Sequence, residues 1–163
     1  MANSDNPLGF RVLTPDPHTR EVASDGSAEI GRGDLVKHDG SGQTLTITNV
    51  ADNPFGVAVS HVAAVAGTKY LVYDDLAHTE FEAQIGDASL ADATQNNNFF
   101  DVVITTLDTV TGNSKMEIDG DASAQDTIIV LDKINHPNNN WGTNVKVRCK
   151  IRVNTEAPVI ATT

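Results

Sequence analysis

The strictest pattern in the chain lies near its end. From Val145 to Val153 apolar and cationic residues alternate without a break. Val145, Val147, Cys149, Ile151 and Val153 share one parity, and Lys146, Arg148, Lys150 and Arg152 share the other. A strand turns successive side chains to opposite faces, so this segment predicts a half-buried strand with one cationic face. Shorter runs of the same kind occur upstream, at Arg20–Ala23, Asp34–His38, Thr44–Asn49, Gly56–Val62, Lys69–Tyr73, Glu80–Ile85, Phe99–Thr106 and Thr127–Lys133. The breaks between them carry turn chemistry in Asp25-Gly26, Asp39-Gly40, Asn53-Pro54, Thr111-Gly112-Asn113 and Asp119-Gly120. Helical periodicity is almost absent; only Ser89–Gln95 predicts a short helix, with Ser89 as N-cap and Asp92 three residues on. Short strands at a spacing of roughly 8–12 residues predict an all-β fold, a compact antiparallel β-barrel or β-sandwich. Strand spacing does not separate the two.

The ends differ from the middle. Residues 1–19 hold Pro7, Pro15 and Pro17 with little periodicity, which predicts an extended N-terminal arm. Residues 20–154 form the β-rich core domain, and residues 155–163 a C-terminal tail without a packing pattern. The first residues show neither a cationic stretch nor an apolar one, so no secretory signal is expected.

Charge narrows the choice of partners. Eleven Lys and Arg stand against 22 Asp and Glu, a net charge of −11 over 163 residues. Phosphate binding needs clustered cations, so no nucleic-acid partner is expected. No run approaches the ~20 apolar residues of a membrane-spanning helix, so no membrane partner is expected either. The charge is also segregated: residues 71–132 hold 13 acidic residues and one basic, residues 133–163 five basic and one acidic. The cationic face of the last strand therefore has two readings, cross-strand pairing with carboxylates such as Glu80 and Glu82, or contact with a partner or a neighbouring copy of opposite sign.

Candidate chemistry thins out on inspection. Cys149 is the sole cysteine, so no internal disulfide is possible, and its place on the apolar parity marks it as a core residue and not a nucleophile. The five histidines are scattered, with no pair at zincin spacing, and no Gly-x-Ser-x-Gly elbow exists. Asp119-Gly120-Asp121-Ala122-Ser123 begins like a calcium loop, but Ala124 stands where glycine is needed and Val130 where a bidentate Glu is needed. Gly31-Arg32-Gly33-Asp34 lacks the third glycine and the following helix of a dinucleotide cradle, and its Arg-Gly-Asp tripeptide reads as a turn into the next strand. The expectation is a protein without catalytic residues, metal or cofactor.

Several blocks, taken in order, resemble a known family. They are Asn6-Pro7-Leu8-Gly9-Phe10-Arg11, Arg32-Gly33-Asp34-Leu35-Val36, Asn53-Pro54-Phe55-Gly56-Val57, the stretch from Tyr73-Asp74-Asp75 through Thr79-Glu80-Phe81-Glu82-Ala83-Gln84, Thr111 to Asp119, and Asn138-Asn139-Asn140-Trp141-Gly142. Together, over roughly residues 6–153, they are similar to the capsid decoration, or cement, proteins of tailed bacteriophages. The resemblance implies a β-rich module, made in the bacterial host cytoplasm, that sits on the outer surface of the virion capsid. It implies the major capsid protein and other copies of the chain, as dimers or trimers, as partners. Multivalent attachment around a symmetric shell makes modest single contacts sufficient.

The residues expected to meet the capsid are Asn6, Pro7, Leu8, Phe10 and Arg11, with Leu8 and Phe10 as apolar anchors and Arg11 pairing a capsid carboxylate. The competing reading folds Phe10 back over the end of the β-core. Lys146, Arg148, Lys150 and Arg152 are the second candidate contact. Trp141 stacks on a sugar or caps the core. The alternatives from other classes are a tail or fibre accessory, a carbohydrate-binding module displayed on the virion, and a small hydrolase using Asp74 and Asp75.

Overall fold

A computed structural model describes residues 3–86, 98–120 and 126–152. The helix expected at Ser89–Gln95, the Asp121–Ser123 part of the calcium-like loop and the tail 155–163 lie outside the described residues. Among the described residues the secondary structure is entirely β. Eleven strands run in order: β1 (Arg11–Val12), β2 (Thr19–Ala23), β3 (Leu35–His38), β4 (Thr44–Thr46), β5 (Gly56–Ala58), β6 (Lys69–Tyr73), β7 (Phe81–Gln84), β8 (Phe99–Val103), β9 (Glu117–Asp119), β10 (Ile128–Lys133) and β11 (Lys146–Ile151). They form two antiparallel sheets, one of six strands ordered β1-β7-β11-β10-β8-β9 and one of five ordered β2-β6-β5-β3-β4. Every strand expected from the sequence is present, most of them shorter by a few residues. The arrangement is sandwich-like, and each sheet curls: a parallel bridge joins Ile85 to Ile118 in the first, and another joins Ser24 to Thr44 in the second.

Alternation explains the two cores. In β3, Leu35 enters the main cluster between the sheets while Val36 enters a second, smaller cluster; in β5, Val57 and Ala58 divide the same way. The main cluster takes the apolar parity of β11 (Val147, Cys149 and Ile151) together with Phe81, Ile85, Phe100, Ile118, Ile128 and Val130. The second cluster holds Val22, Ile30, Val62, Tyr70 and Val72, with Phe55 packed against it. β3 and β5 thus bury side chains toward both clusters and do not alternate cleanly, whereas β6 alternates and leaves Lys69 and Leu71 exposed.

Over its described length the N-terminal arm is docked on the core. Residues 3–14 lie along the six-stranded sheet. β1 pairs antiparallel with β7, placing Arg11 opposite Glu82 and Val12 opposite Phe81. The Phe10 N–H donates to the Gly33 carbonyl at 3.0 Å, the Leu13 N–H donates to the Glu80 carbonyl at 2.8 Å, and the Glu80 N–H returns to the Thr14 hydroxyl at 2.7 Å. Further out, the Asn6 N–H donates to Gln84 Oε1 at 3.0 Å, and Asn3 exchanges hydrogen bonds with Asn140. Gly9 makes this path possible. Its φ of +65° is a left-handed conformation, and a Cβ there would stand 2.4 Å from the Ser114 Cβ.

Candidate interaction surface

The N-terminal candidates divide. Phe10 is 1% exposed, sits in the main core and meets Phe81 edge-on with ring centroids 6.5 Å apart. Phe10 thus closes the chain's own core, the reading that competed with the capsid anchor at the outset. Asn6 and Arg11 are exposed, and Pro7 and Leu8 are half-buried. Arg11 lies 3.8 Å from Glu82, a long ion pair with the guanidinium largely in solvent.

The cationic face of β11 is met largely by cross-strand pairing, the first of its two readings. A bulge in β10 between Val130 and Asp132 shifts the register so that Asp132 stands opposite Arg148. Arg148 Nε and Nη2 then donate to the two oxygens of Asp132 at 3.0 and 2.9 Å, while Nη1 reaches Glu80 at 3.3 Å. Both carboxylates push the guanidinium pKa further up, the Asp132 hydrogen bonds contributing most. Lys146 approaches Glu82 at 4.0 Å, and Arg152 pairs with Asp126 at 3.5 Å while lying over the Phe99 ring. Lys150 donates to the Ala77 carbonyl at 3.4 Å. Lys146, Arg148 and Arg152 thus answer the chain's own acidic middle, so this face offers a partner little unpaired charge.

The remaining sequence candidates settle into structural roles. Cys149 is fully buried, and burial pushes its thiol pKa well up, so it stays protonated and unreactive. Trp141 packs its partly buried ring against the main core, as a cap does. Asp34 of the Arg-Gly-Asp tripeptide is 3% exposed and accepts the Gly31 N–H on Oδ2 at 2.7 Å, so the tripeptide is a folded turn and not a displayed loop. Asp74 is bound by Arg20 at 2.8 Å and by His18, and Asp75 by His78. Those two carboxylates are taken up by separate partners. Among the described residues no group of three or more His, Cys, Asp or Glu is placed to hold a metal ion. No helix among them is long and apolar enough to cross a membrane.

A cleft of about 420 Å³ that no sequence pattern signals lies beside the N-terminal segment. Leu8, Val12, Ala58 and Val59 give it apolar walls, Tyr73 borders it, and Arg11 and Arg32 flank it. Arg32 is held by Asn113, whose Oδ1 accepts from Nε at 3.1 Å and from Nη2 at 2.6 Å. Both residues lie in turn segments 81 positions apart, so only the fold brings them together. The one signal available beforehand was that each falls inside a block carrying the family resemblance.

No family model, no curated protein and no solved structure matches the chain.

Proposed function

We propose that the chain is a non-enzymatic decoration, or cement, protein of a tailed-phage head. It binds the outer surface of the mature capsid and stabilises the shell by bridging major capsid protein subunits. The observation that carries this reading is the convergence of the sequence blocks on which the resemblance rests. The first block meets the second where the Phe10 N–H donates to Gly33, and meets the Tyr73–Gln84 stretch where the Asn6 N–H donates to Gln84. Gln84 Nε2 in turn donates to Glu117 at 2.7 Å, in the Thr111–Asp119 block, and the Phe55 N–H donates to Val36 at 2.9 Å, joining the third block to the second. Residues far apart in the chain are therefore one hydrogen-bonded seam, so their shared order reads as a shared scaffold. A rigid β-block with an exposed N-terminal edge suits repetition around a symmetric shell, where each contact is modest and the number of contacts is large.

The test is quantitative mass spectrometry of washed particles from the source, comparing copies of this chain with copies of the shell subunit. A ratio near one to one is expected. A handful of copies per particle moves the chain to a tail or vertex accessory, and absence from the particles removes the structural role.

A further inference from the structure

We infer that the cleft between β1 and the five-stranded sheet is the docking site for an extended, carboxylate-bearing segment of the shell subunit, with Arg32 as the residue that captures the carboxylate. This rests on the decoration reading and names the surface and the chemistry it uses.

Charge is the first argument. The chain carries −11, yet among the described residues no carboxylate lines this cleft, and two of its five arginines do. The other arginines answer carboxylates: Arg20 Asp74, Arg148 Asp132 and Glu80, Arg152 Asp126. Arg32 alone among the arginines has no carboxylate partner among the described residues; its partner is the neutral amide of Asn113. That amide takes the Nε–H and one N–H of Nη2, which fixes the guanidinium plane and leaves three N–H donors. A fixed fork with spare donors and an unanswered charge is suited to bidentate capture of a carboxylate. Arg11 adds a second cation, since its Glu82 partner lies at 3.8 Å and is shared with Lys146.

Shape supplies the second argument. β1 is the outermost strand of its sheet, and both of its residues line the cleft. An edge strand beside an open groove accepts a further strand through main-chain hydrogen bonds, with specificity left to the side chains at alternate positions. Leu8, Val12, Ala58 and Val59 provide the apolar contacts such a strand needs, and the Tyr73 hydroxyl has no hydrogen-bond partner among the described residues. The cleft accommodates a few extended residues and not a duplex.

The experiment is co-sedimentation with purified mature shells that lack this protein, using the full chain, Arg32→Glu, Arg11→Glu and the control Lys69→Glu. Lys69 is exposed on β6, outside the cleft, and pairs loosely with Glu21 at 3.7 Å. The expected result is a loss of affinity of about tenfold or more for Arg32→Glu, a smaller loss for Arg11→Glu and none for Lys69→Glu, with circular dichroism and Tm unchanged for the Arg11 and Lys69 variants. Where Arg32→Glu fails to fold, the Arg11 variant decides on the same criterion. Equal losses for the cleft and control variants overturn the inference in favour of general electrostatic attraction. Wild-type affinity in every folded cleft variant overturns the inference and leaves the decoration reading standing. A wild-type chain that does not sediment with shells removes both.

Discussion

Asp34 shows what a single buried carboxyl does to the molecule. Its Oδ1 has no hydrogen-bond partner among the described residues although the atom is buried, and burial raises its pKa above the ordinary 3.8 despite the Ser114 and Thr46 hydroxyls and the Gly31 N–H nearby. A folded-state pKa raised above the unfolded value means that the folded chain holds the extra proton. Stability from this group is therefore fully present below the ordinary value and is lost as pH rises through the raised one. Asp39, Asp75 and Asp108 act oppositely: the Ser41 hydroxyl, His78, and the Val110 and Thr111 N–H groups respectively lower their pKa values, so their contribution disappears on acidification. Asp34 is therefore expected to make wild-type stability fall as pH rises past the ordinary carboxyl value, against the opposite trend from Asp39, Asp75 and Asp108. Asp34→Asn keeps an acceptor for the Gly31 N–H without an ionisable group. Denaturant unfolding at closely spaced pH values is expected to show that the variant loses less stability than the wild type as pH rises above the ordinary carboxyl range. An unchanged decline assigns it to another residue.

At the level of elements, β11 was legible because nine alternating positions leave one solution for which face is buried, and the carboxylates expected opposite it are there. Asp132 was not foreseen as the main partner of Arg148, because a one-residue bulge in β10 sets that register and period-two reasoning does not locate bulges. β1 and β9 escaped for a related reason. Two and three residues are too few to show a period, and both strands exist only because a long-range neighbour, β7 or β8, is already in place. The Arg148 cluster is partly in solvent, so its stabilising contribution is about 1 kcal/mol or less. Arg148→Ala is expected to lower thermal stability by that modest amount, less so at high salt, while leaving shell binding unchanged. A salt-dependent loss of shell binding at wild-type stability restores the cationic face of β11 as a contact surface.

Across the whole molecule, the N-terminal residues decide how the parts hold together. The proline-rich start reads as an arm because nothing local gives it a partner; its partners are Gly33, Glu80, Gln84 and Asn140, all distant in sequence. Its one large buried anchor, Phe10, fills space beside Phe81, and what admits it is the left-handed Gly9 pressed against Ser114. The cleft was hidden for the same reason, since Arg11, Arg32 and Asn113 converge only after β1 has docked. Phe10→Ala is expected to cost about 3–5 kcal/mol, the range for emptying a buried aromatic site, a large part of the ~5–15 kcal/mol that a domain has in total. Deleting residues 1–12 removes Phe10 together with β1 and one wall of the cleft, so stability and shell affinity are expected to fall together. Phe10→Ala assayed below its own Tm separates the two effects. It leaves β1, Arg11 and Arg32 in the chain, so shell affinity should recover towards the wild-type value wherever the variant is folded. A folded Phe10→Ala that no longer binds shells, alongside a deletion variant as stable as the full chain, would return Phe10 to the role of capsid anchor. The buried, edge-on contact with Phe81 argues for the opposite result: a destabilised chain that still binds while it is folded.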